Sequence, residues 1–241
     1  MKNELDEYVA AYEGKTIYDV DNQIILNWYP RRIIEASLGA KSLLELGLGH
    51  GITSKIFAPH FDRHVILEGS PAVISRFKLV EPNYSGEIIE TYFEDFETNE
   101  KFDIIVLGFI LEHVDNPVQI LKHYKKFLAP NGKFFITVPN AKSLNRRLGY
   151  SAGFLQNINE LSENDLEQGH KRYYTIKSLT EEINQVNFII EKMEGIYLKP
   201  FTTKQILSLQ LDKKIIDSMC TVGIEFPELC LGILTQVREK E

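Results

Sequence analysis

A short apolar run, Leu43-Leu44-Glu45-Leu46, breaks into glycines at every second position, Gly47, Gly49 and Gly51, and is followed at once by a helix-compatible stretch from Ile52 to Ala58. Few architectures accommodate that junction. Glycine tolerates positive φ and lets a ligand approach the backbone closely, while the start of the next helix offers unpaired amides and the positive end of its dipole. A buried strand turning through such a loop into a helix is the first unit of an open α/β sheet. In such sheets ligands lie beyond the carboxyl ends of the strands, where the strand order reverses. The stretch therefore predicts a cofactor seated against Gly47, Gly49 and Gly51, with a simple tight turn as the lesser alternative.

The same alternation continues along the chain. Runs that read as buried strands are Ser42 to Leu46, Val65 to Leu67, Glu87 to Ile89, Phe102 to Leu107, Lys133 to Val138, Phe188 to Lys192 and Leu229 to Val237. Between them lie helical patterns. Pro30 is expected to open a helix from Arg31 to Leu38 that Gly39 closes, Pro71 one toward Leu79, and Pro117 one through Tyr124 to Leu128, followed by a turn at Ala129-Pro130-Asn131-Gly132. Ser178 is expected to cap a helix through Ile183 that ends at Asn187. Thr202 or Thr203 is expected to cap an amphipathic helix carrying Ile206, Leu207, Leu211, Ile215 and Ile216. This alternation predicts an α/β fold with a mainly parallel, doubly wound sheet.

A length of 241 residues fits one large domain. Residues 1–40, with Tyr8, Tyr12, Tyr18, Trp28 and Tyr29, form an expected helical cap over the sheet edge; 41–140 form the cofactor-binding core and 176–241 the rest of the sheet. The stretch Asn140 to Thr175 has little apolar periodicity, and so long a loop inside a domain predicts a lid-like insertion, bounded at 141–175. A net charge of −7 opposes phosphate-backbone binding, so a small molecule rather than nucleic acid is the expected partner. No apolar signal core or membrane-spanning stretch stands out, and there are only two cysteines, Cys220 and Cys230. The cytoplasm, with both thiols reduced, is the expected compartment. Nothing in the sequence sets the oligomeric state.

Spacing then discriminates between cofactors. A dinucleotide fingerprint from Gly47 would need glycine at position 52, which is Ile52, so a nucleotide-dependent dehydrogenase is disfavoured. The observed Gly-x-Gly-x-Gly, preceded by Glu45, resembles motif I of the class I S-adenosylmethionine-dependent methyltransferases. Further segments carry the resemblance: Val65-Ile66-Leu67-Glu68-Gly69, Tyr92-Phe93-Glu94-Asp95-Phe96, Gly108-Phe109-Ile110-Leu111-Glu112-His113-Val114, Phe134 to Asn140, and Gly169-His170-Lys171-Arg172-Tyr173-Tyr174-Thr175. It is closest in kind to the small-molecule subgroup. The resemblance implies a Rossmann-like sheet of seven strands with the last antiparallel, and S-adenosyl-L-methionine as cofactor. Glu68, beside Gly69, would accept from the ribose hydroxyls. Glu94, Asp95 and Phe96 would meet the adenine, Asp95 through its acid and Phe96 by packing on the ring. Gly108 and Phe109 would border the cofactor, and Glu45 would either orient its amino-acid end or support the glycine turn.

The resemblance places His113 beside the transferred methyl, where an imidazole suits a proton acceptor, with His170 second. Glu112 is weighed as an acceptor-binding acid, and Tyr18, Arg31 and Arg32 as side chains closing over the donor's amino-acid end. Arg146, Arg147, Lys171 and Arg172 make the insertion locally basic, which would suit an anionic acceptor such as a carboxylate or a sugar nucleotide, or would be solvated charge. The Asp/Asn-Pro-Pro-aromatic signature of base-amino DNA methyltransferases is absent after the fourth candidate strand, as is the strand-end acid of the catechol type. No His-Glu-x-x-His pair or cysteine quartet suggests zinc. The expectation is metal-independent, in-line O- or N-methylation of a small molecule, a sugar or another anionic metabolite among the options. A non-catalytic S-adenosylmethionine-binding protein is the alternative.

Overall fold

The computed structural model describes residues 5–6 and 16–240, so Tyr8 and Tyr12 of the expected cap lie outside the described residues. The elements run α1 (Asp19–Ala36), β1 (Ser42–Leu46), α2 (Ile52–Phe57), β2 (Arg63–Glu68), α3 (Pro71–Val80), β3 (Glu87–Glu90), β4 (Phe102–Gly108), α4 (Pro117–Lys125), β5 (Leu128–Pro139), α5 (Leu144–Ser151), α6 (Glu163–Glu167), α7 (Ile176–Gln185), β6 (Phe188–Ile196), α8 (Thr203–Ser208), α9 (Lys213–Gly223) and β7 (Gly232–Glu239). The strands form one sheet in the order β3-β2-β1-β4-β5-β7-β6. Pairings from β3 through β5 are parallel, and β7 is antiparallel to both β5 and β6. The doubly wound sheet with its last strand antiparallel is therefore the observed architecture.

Side chains that alternate along each strand explain why both faces are covered. Leu44, Leu46, Ile105, Leu107, Phe134 and Ile136 pack with Leu121 and Tyr124 of α4 and Leu179 and Ile183 of α7. Leu43, Ile104, Val106 and Phe135 pack on the other face with Ile25, Tyr29 and Ile33 of α1 and Cys220 of α9. A sheet buried on both faces requires strands that read as unbroken apolar runs, which is how β1, β4 and β5 read. Strand order reverses between β1 and β4, so a crevice opens at their carboxyl ends.

Several local expectations change. Pro30 does not open a helix; it lies inside α1, which begins at Asp19. An interior proline removes one backbone bond and costs about 3 kcal/mol. Burial of Ile25, Tyr29 and Ile33 on one face of α1 offsets that cost. Gly39 takes φ +87° after the helix end, as expected of a terminating glycine. The turn at 129–132 becomes a bulge within β5: Phe102 pairs with Leu128 and Ile104 with Lys133, and Asn131 adopts φ +63°. Thr175, not Ser178, caps α7, the two side chains forming a reciprocal capping box, while Asn187 takes the left-handed conformation as expected. The expected single amphipathic helix after Thr202 is two helices. Gln210 turns left-handed, and Asp212 caps a second start at α9. Residues 140–175 contain α5 and α6 and are tied to the sheet by an Asn140–Tyr174 bridge. Among the described residues no helix is long and apolar enough to cross a membrane.

Candidate active site

The carboxyl ends of β1, β2, β4 and β5 open into a cavity of about 920 Å³, within the range of small-molecule sites. The glycine loop forms its floor. Gly47 and Gly51 have φ +83° and +69°; a Cβ on Gly47 would stand 2.7 Å from Cδ1 of Ile110, and one on Gly51 would collide with the Phe77 ring. Neither position admits a side chain. The loop is held by Glu68 at the end of β2, whose Oε2 accepts from the Leu48 amide (3.0 Å) and Oε1 from the Ser70 amide (2.8 Å). Burial raises the Glu68 pKa, and the amides of Ser70, Leu48, Gly49 and Gly69 counter it.

Glu45 is committed inside the protein. It accepts from Thr53 Oγ1 (2.5 Å) and meets Nε2 of His64 (3.0 Å), whose Nδ1 meets the Tyr84 hydroxyl (2.9 Å). These contacts tie the end of β1 to α2 and β2, and Glu45 also lines the cavity. Gly108 faces the Tyr29 hydroxyl, which a Cβ at 108 would strike. The Phe109 ring lies edge-on to Tyr29, 5.9 Å between centroids.

On the side of β2 and β3, Gly69, Tyr92, Phe93 and Glu94 line the cavity, but Asp95 and Phe96 do not. Phe96 is turned into the core, its ring stacked on Tyr124 (6.2 Å between centroids) and edge-on to Phe127 (5.4 Å), so it has no face for an adenine. The backbone turn closed by the Asp95 amide on the Tyr92 carbonyl brings Tyr92 and Phe93 to the cavity instead. Of the side chains expected near the donor's amino-acid end, Tyr18 lines the cavity, but Arg31 and Arg32 do not. Arg32 forms a bidentate pair with Glu194 (2.9 and 2.8 Å).

The opposite wall joins the segment after β4 to the 140–175 insertion. Glu112 is fully buried and neither of its carboxylate oxygens has a hydrogen-bond partner. Burial pushes its pKa up to about 7 against the opposing charge of His170 and Arg172. The His113 and His170 rings meet edge to face, 4.7 Å between centroids. Desolvation, with the neighbouring His170, pushes His113 down to about 3, while one of its nitrogens bonds to the Gly169 backbone. Burial works against the protonated form of His170 too, but Asp165, with Oδ1 3.2 Å from Nδ1, and Glu112 outweigh it and raise its pKa. Asp165 also accepts from Ser162 and from the Tyr173 hydroxyl (2.7 Å), which holds it at about 2 despite its own burial.

Of the basic side chains of the insertion, Arg146 and Lys171 line the cavity, and all four have partners within the protein. Arg146 donates to the carbonyls of Ile158 (2.8 Å) and Glu160 (2.6 Å) and lies over the Tyr173 ring, and Arg147 donates to the carbonyls of Lys142 and Glu228. Arg172 donates to the carbonyls of Leu111 and Val114, and Lys171 pairs with Asp115. Beyond them the wall carries Lys199, buried with Nζ 2.6 Å from Asp21 and 2.7 Å from Thr203. Asp165, Tyr29, Thr53 and the Asp21–Lys199 pair were not singled out from sequence as site residues. The Ser162-x-x-Asp165 spacing announces a capping box, but the second use of its acid depends on His170 folding back onto it.

A family model described as "Methyltransferase domain" matches residues 27–192. Among curated relatives, the ubiquinone biosynthesis O-methyltransferase of Pseudomonas syringae pv. tomato is 28% identical over 135 residues, 53% of this chain and 55% of that protein. The protein of that name from Actinobacillus pleuropneumoniae is 26% identical over 175 residues, 69% and 74% of the two chains. The chain thus spans only about half the length of the first of these relatives. Among solved structures, the N-methyltransferase NodS of Bradyrhizobium japonicum with S-adenosyl-L-homocysteine superposes over all of both chains (TM-score 0.59, 15% identity). An S-adenosylmethionine-dependent methyltransferase of Clostridium acetobutylicum covers 98% and 99% (TM-score 0.60, 13% identity). The glycine cradle and strand-end acid at the switch point, the strand order and a family match across more than half of its length agree: the chain belongs to the methyltransferase-domain family, within the class I S-adenosylmethionine-dependent superfamily.

Proposed function

We propose that this protein transfers a methyl group from S-adenosyl-L-methionine to a hydroxyl oxygen of a small polar molecule, carbohydrate-like rather than strongly anionic. One observation carries the reading: a single cavity joins the glycine loop and Glu68 on one side to a wall of Glu112, His170, Tyr173, Asn145 and Lys199 on the other. Transfer to oxygen accords with the curated relatives' names. A neutral acceptor accords with the hydrogen bonds that Arg146, Arg147 and Arg172 give to backbone carbonyls and with the surface pairing of Lys171 with Asp115. Of the cofactor residues proposed from sequence, Gly47, Gly49, Gly51, Glu68, Gly69, Glu94, Gly108 and Phe109 keep that role in this reading, and Tyr92 and Phe93 replace Asp95 and Phe96.

The cofactor, when bound, supplies a methyl on a sulfonium: the S–CH3 bond breaks with its electron pair staying on sulfur while an O–CH3 bond forms. The chain's residues align the acceptor, exclude water and receive the hydroxyl proton. In this reading His170 receives it, because Asp165, with Oδ1 3.2 Å from Nδ1, stabilises the imidazolium. His113, buried without such an acid, acts as a wall that positions His170. Residues 141–175 serve as the acceptor-side cover, and a cytoplasmic setting with Cys220 and Cys230 as thiols belongs to the same reading. Incubation with methyl-labelled S-adenosylmethionine and a panel of hydroxylated acceptors tests it. Label in an ether product supports the reading. Cofactor binding without transfer to any member, at concentrations that saturate the cavity, would favour a binding protein instead.

A further inference from the structure

Metal-ligand spacing is a local property of sequence, and it showed none here. The fold nevertheless brings together three side chains from two distant segments. One carboxylate oxygen of Glu112 and one ring nitrogen each of His113 and His170 lie within 4.8 Å of one another. We propose that Glu112, His113 and His170 form a binding site for a divalent transition metal of the Zn²⁺ class at the acceptor end of the cavity.

Three observations converge on this set. Glu112 is wholly buried with both oxygens unpartnered, and a carboxylate in that condition is costly unless a cation compensates it. Each ring also has a protein neighbour beside it: Oδ1 of Asp165 lies 3.2 Å from Nδ1 of His170, and the Gly169 backbone lies next to His113. Metal-bound histidines are characteristically fixed in this way, by a carboxylate or carbonyl on the far side of the ring. Two imidazoles and one carboxylate favour zinc-like ions over Mg²⁺ or Ca²⁺, which prefer oxygen. Charge also balances, since Glu112 and Asp165 together match a dication. Ligands at about 2.0–2.2 Å from a tetrahedral ion stand roughly 3.4 Å apart, so the trio closes on the ion by modest ring rotations. All three side chains line the cavity.

The site rests on the methyl-transfer reading only in its consequence. A cation that takes the free nitrogen of His170 competes with the proton there, so occupancy holds turnover down. Binding is tested separately, by calorimetric titration of Zn²⁺ into chelator-stripped protein, with Co²⁺ absorption as a report on ligand type. One equivalent is expected, with Co²⁺ d–d bands and no thiolate charge-transfer band. Asp165→Asn should weaken binding by about 10–100-fold, the usual loss for an outer-shell partner, and Glu112→Gln by at least as much. A double Cys220→Ser/Cys230→Ser variant should bind Zn²⁺ as the wild type does. Failure of the wild type to bind, binding lost only with the cysteines, or binding indifferent to Glu112→Gln and Asp165→Asn would each overturn the site. Should Glu112→Gln unfold, Asp165→Asn still decides. S-adenosylhomocysteine titrated into the same preparations keeps the two ideas apart: its binding without Zn²⁺ binding rejects the metal site alone, and the reverse result rejects the cofactor reading alone.

Discussion

Two side chains carry the sharpest expectations. Glu68→Ala removes the clamp on the Leu48 and Ser70 amides and, in the proposed reading, the acceptor for the ribose hydroxyls. It should weaken S-adenosylhomocysteine binding by about 1–3 kcal/mol in calorimetry; unchanged affinity would take Glu68 out of the cofactor site. His170→Asn should lower turnover by roughly two to four orders of magnitude with cofactor affinity nearly intact, whereas His113→Asn should cost much less. A larger loss from His113→Asn than from His170→Asn would return the proton-accepting role to His113, the first choice from sequence. That choice was reasonable given only the order of residues. Position after β4 is legible in a motif, but whether an imidazole has an acid behind it depends on a contact such as that between His170 and Asp165, made when the insertion folds back. Phe96 is misplaced from sequence because its neighbours face the cavity while the turn at 92–95 sends it under α4.

Among the elements, those whose identity is set by a local signal were readable. Pro71 and Pro117 start α3 and α4, Asn187 ends the α7 region in the left-handed conformation, and the apolar runs became strands with ends shifted by a few residues. Elements decided by tertiary contact were not readable, including the long α1 that carries Pro30 in its interior and the split between α8 and α9. The insertion is the mixed case. Its lack of periodicity hid two short helices, α5 and α6, and Arg146 and Arg172 pin it to backbone carbonyls at Ile158, Glu160, Leu111 and Val114. Hydrogen exchange should therefore fall on adding cofactor and acceptor, and mainly around 152–161, where Phe154 stands exposed, rather than near Arg172. Uniform protection with and without ligand would make the segment a fixed wall. The pairing of α1 with β6 makes a separate prediction. Burial alone raises the pKa of Glu194, but hydrogen bonds and charge from Arg32 and Lys192 hold it below the ordinary carboxylate value. A carboxyl depressed in the folded state stabilises above its unfolded pKa of about 4.3 and loses that contribution as pH falls through the folded value. Melting temperature should accordingly fall less steeply with acid in Glu194→Gln than in the wild type. Parallel profiles would show that the pair does not couple the two elements.

At the level of the complete fold, ligand and stability are linked. A cofactor that binds only the folded chain at 100 times its Kd adds about 2.7 kcal/mol. For a chain of 241 residues each kcal/mol moves the melting temperature by roughly 2–4 °C, so saturating S-adenosylhomocysteine should raise it by about 5–11 °C, whereas NAD should leave it in place. The sheet order also dictates a sequence of assembly. Strands β1 to β5 pair with one another directly, whereas β6 touches the rest of the sheet only through β7, a strand that follows it in the chain. The glycine cradle and Glu68 can thus take shape while β5 still has a bare edge. Lys199, which follows β6 and whose carbonyl receives the Asn145 amide, reaches its place only after residues 232–239 have threaded between β5 and β6. A nascent or partly unfolded molecule would on this topology hold the donor's half of the cleft before the acceptor's half exists, with a hydrophobic strand edge uncovered in the interval. That stage is where the chain is most open to mispairing with a second copy of itself.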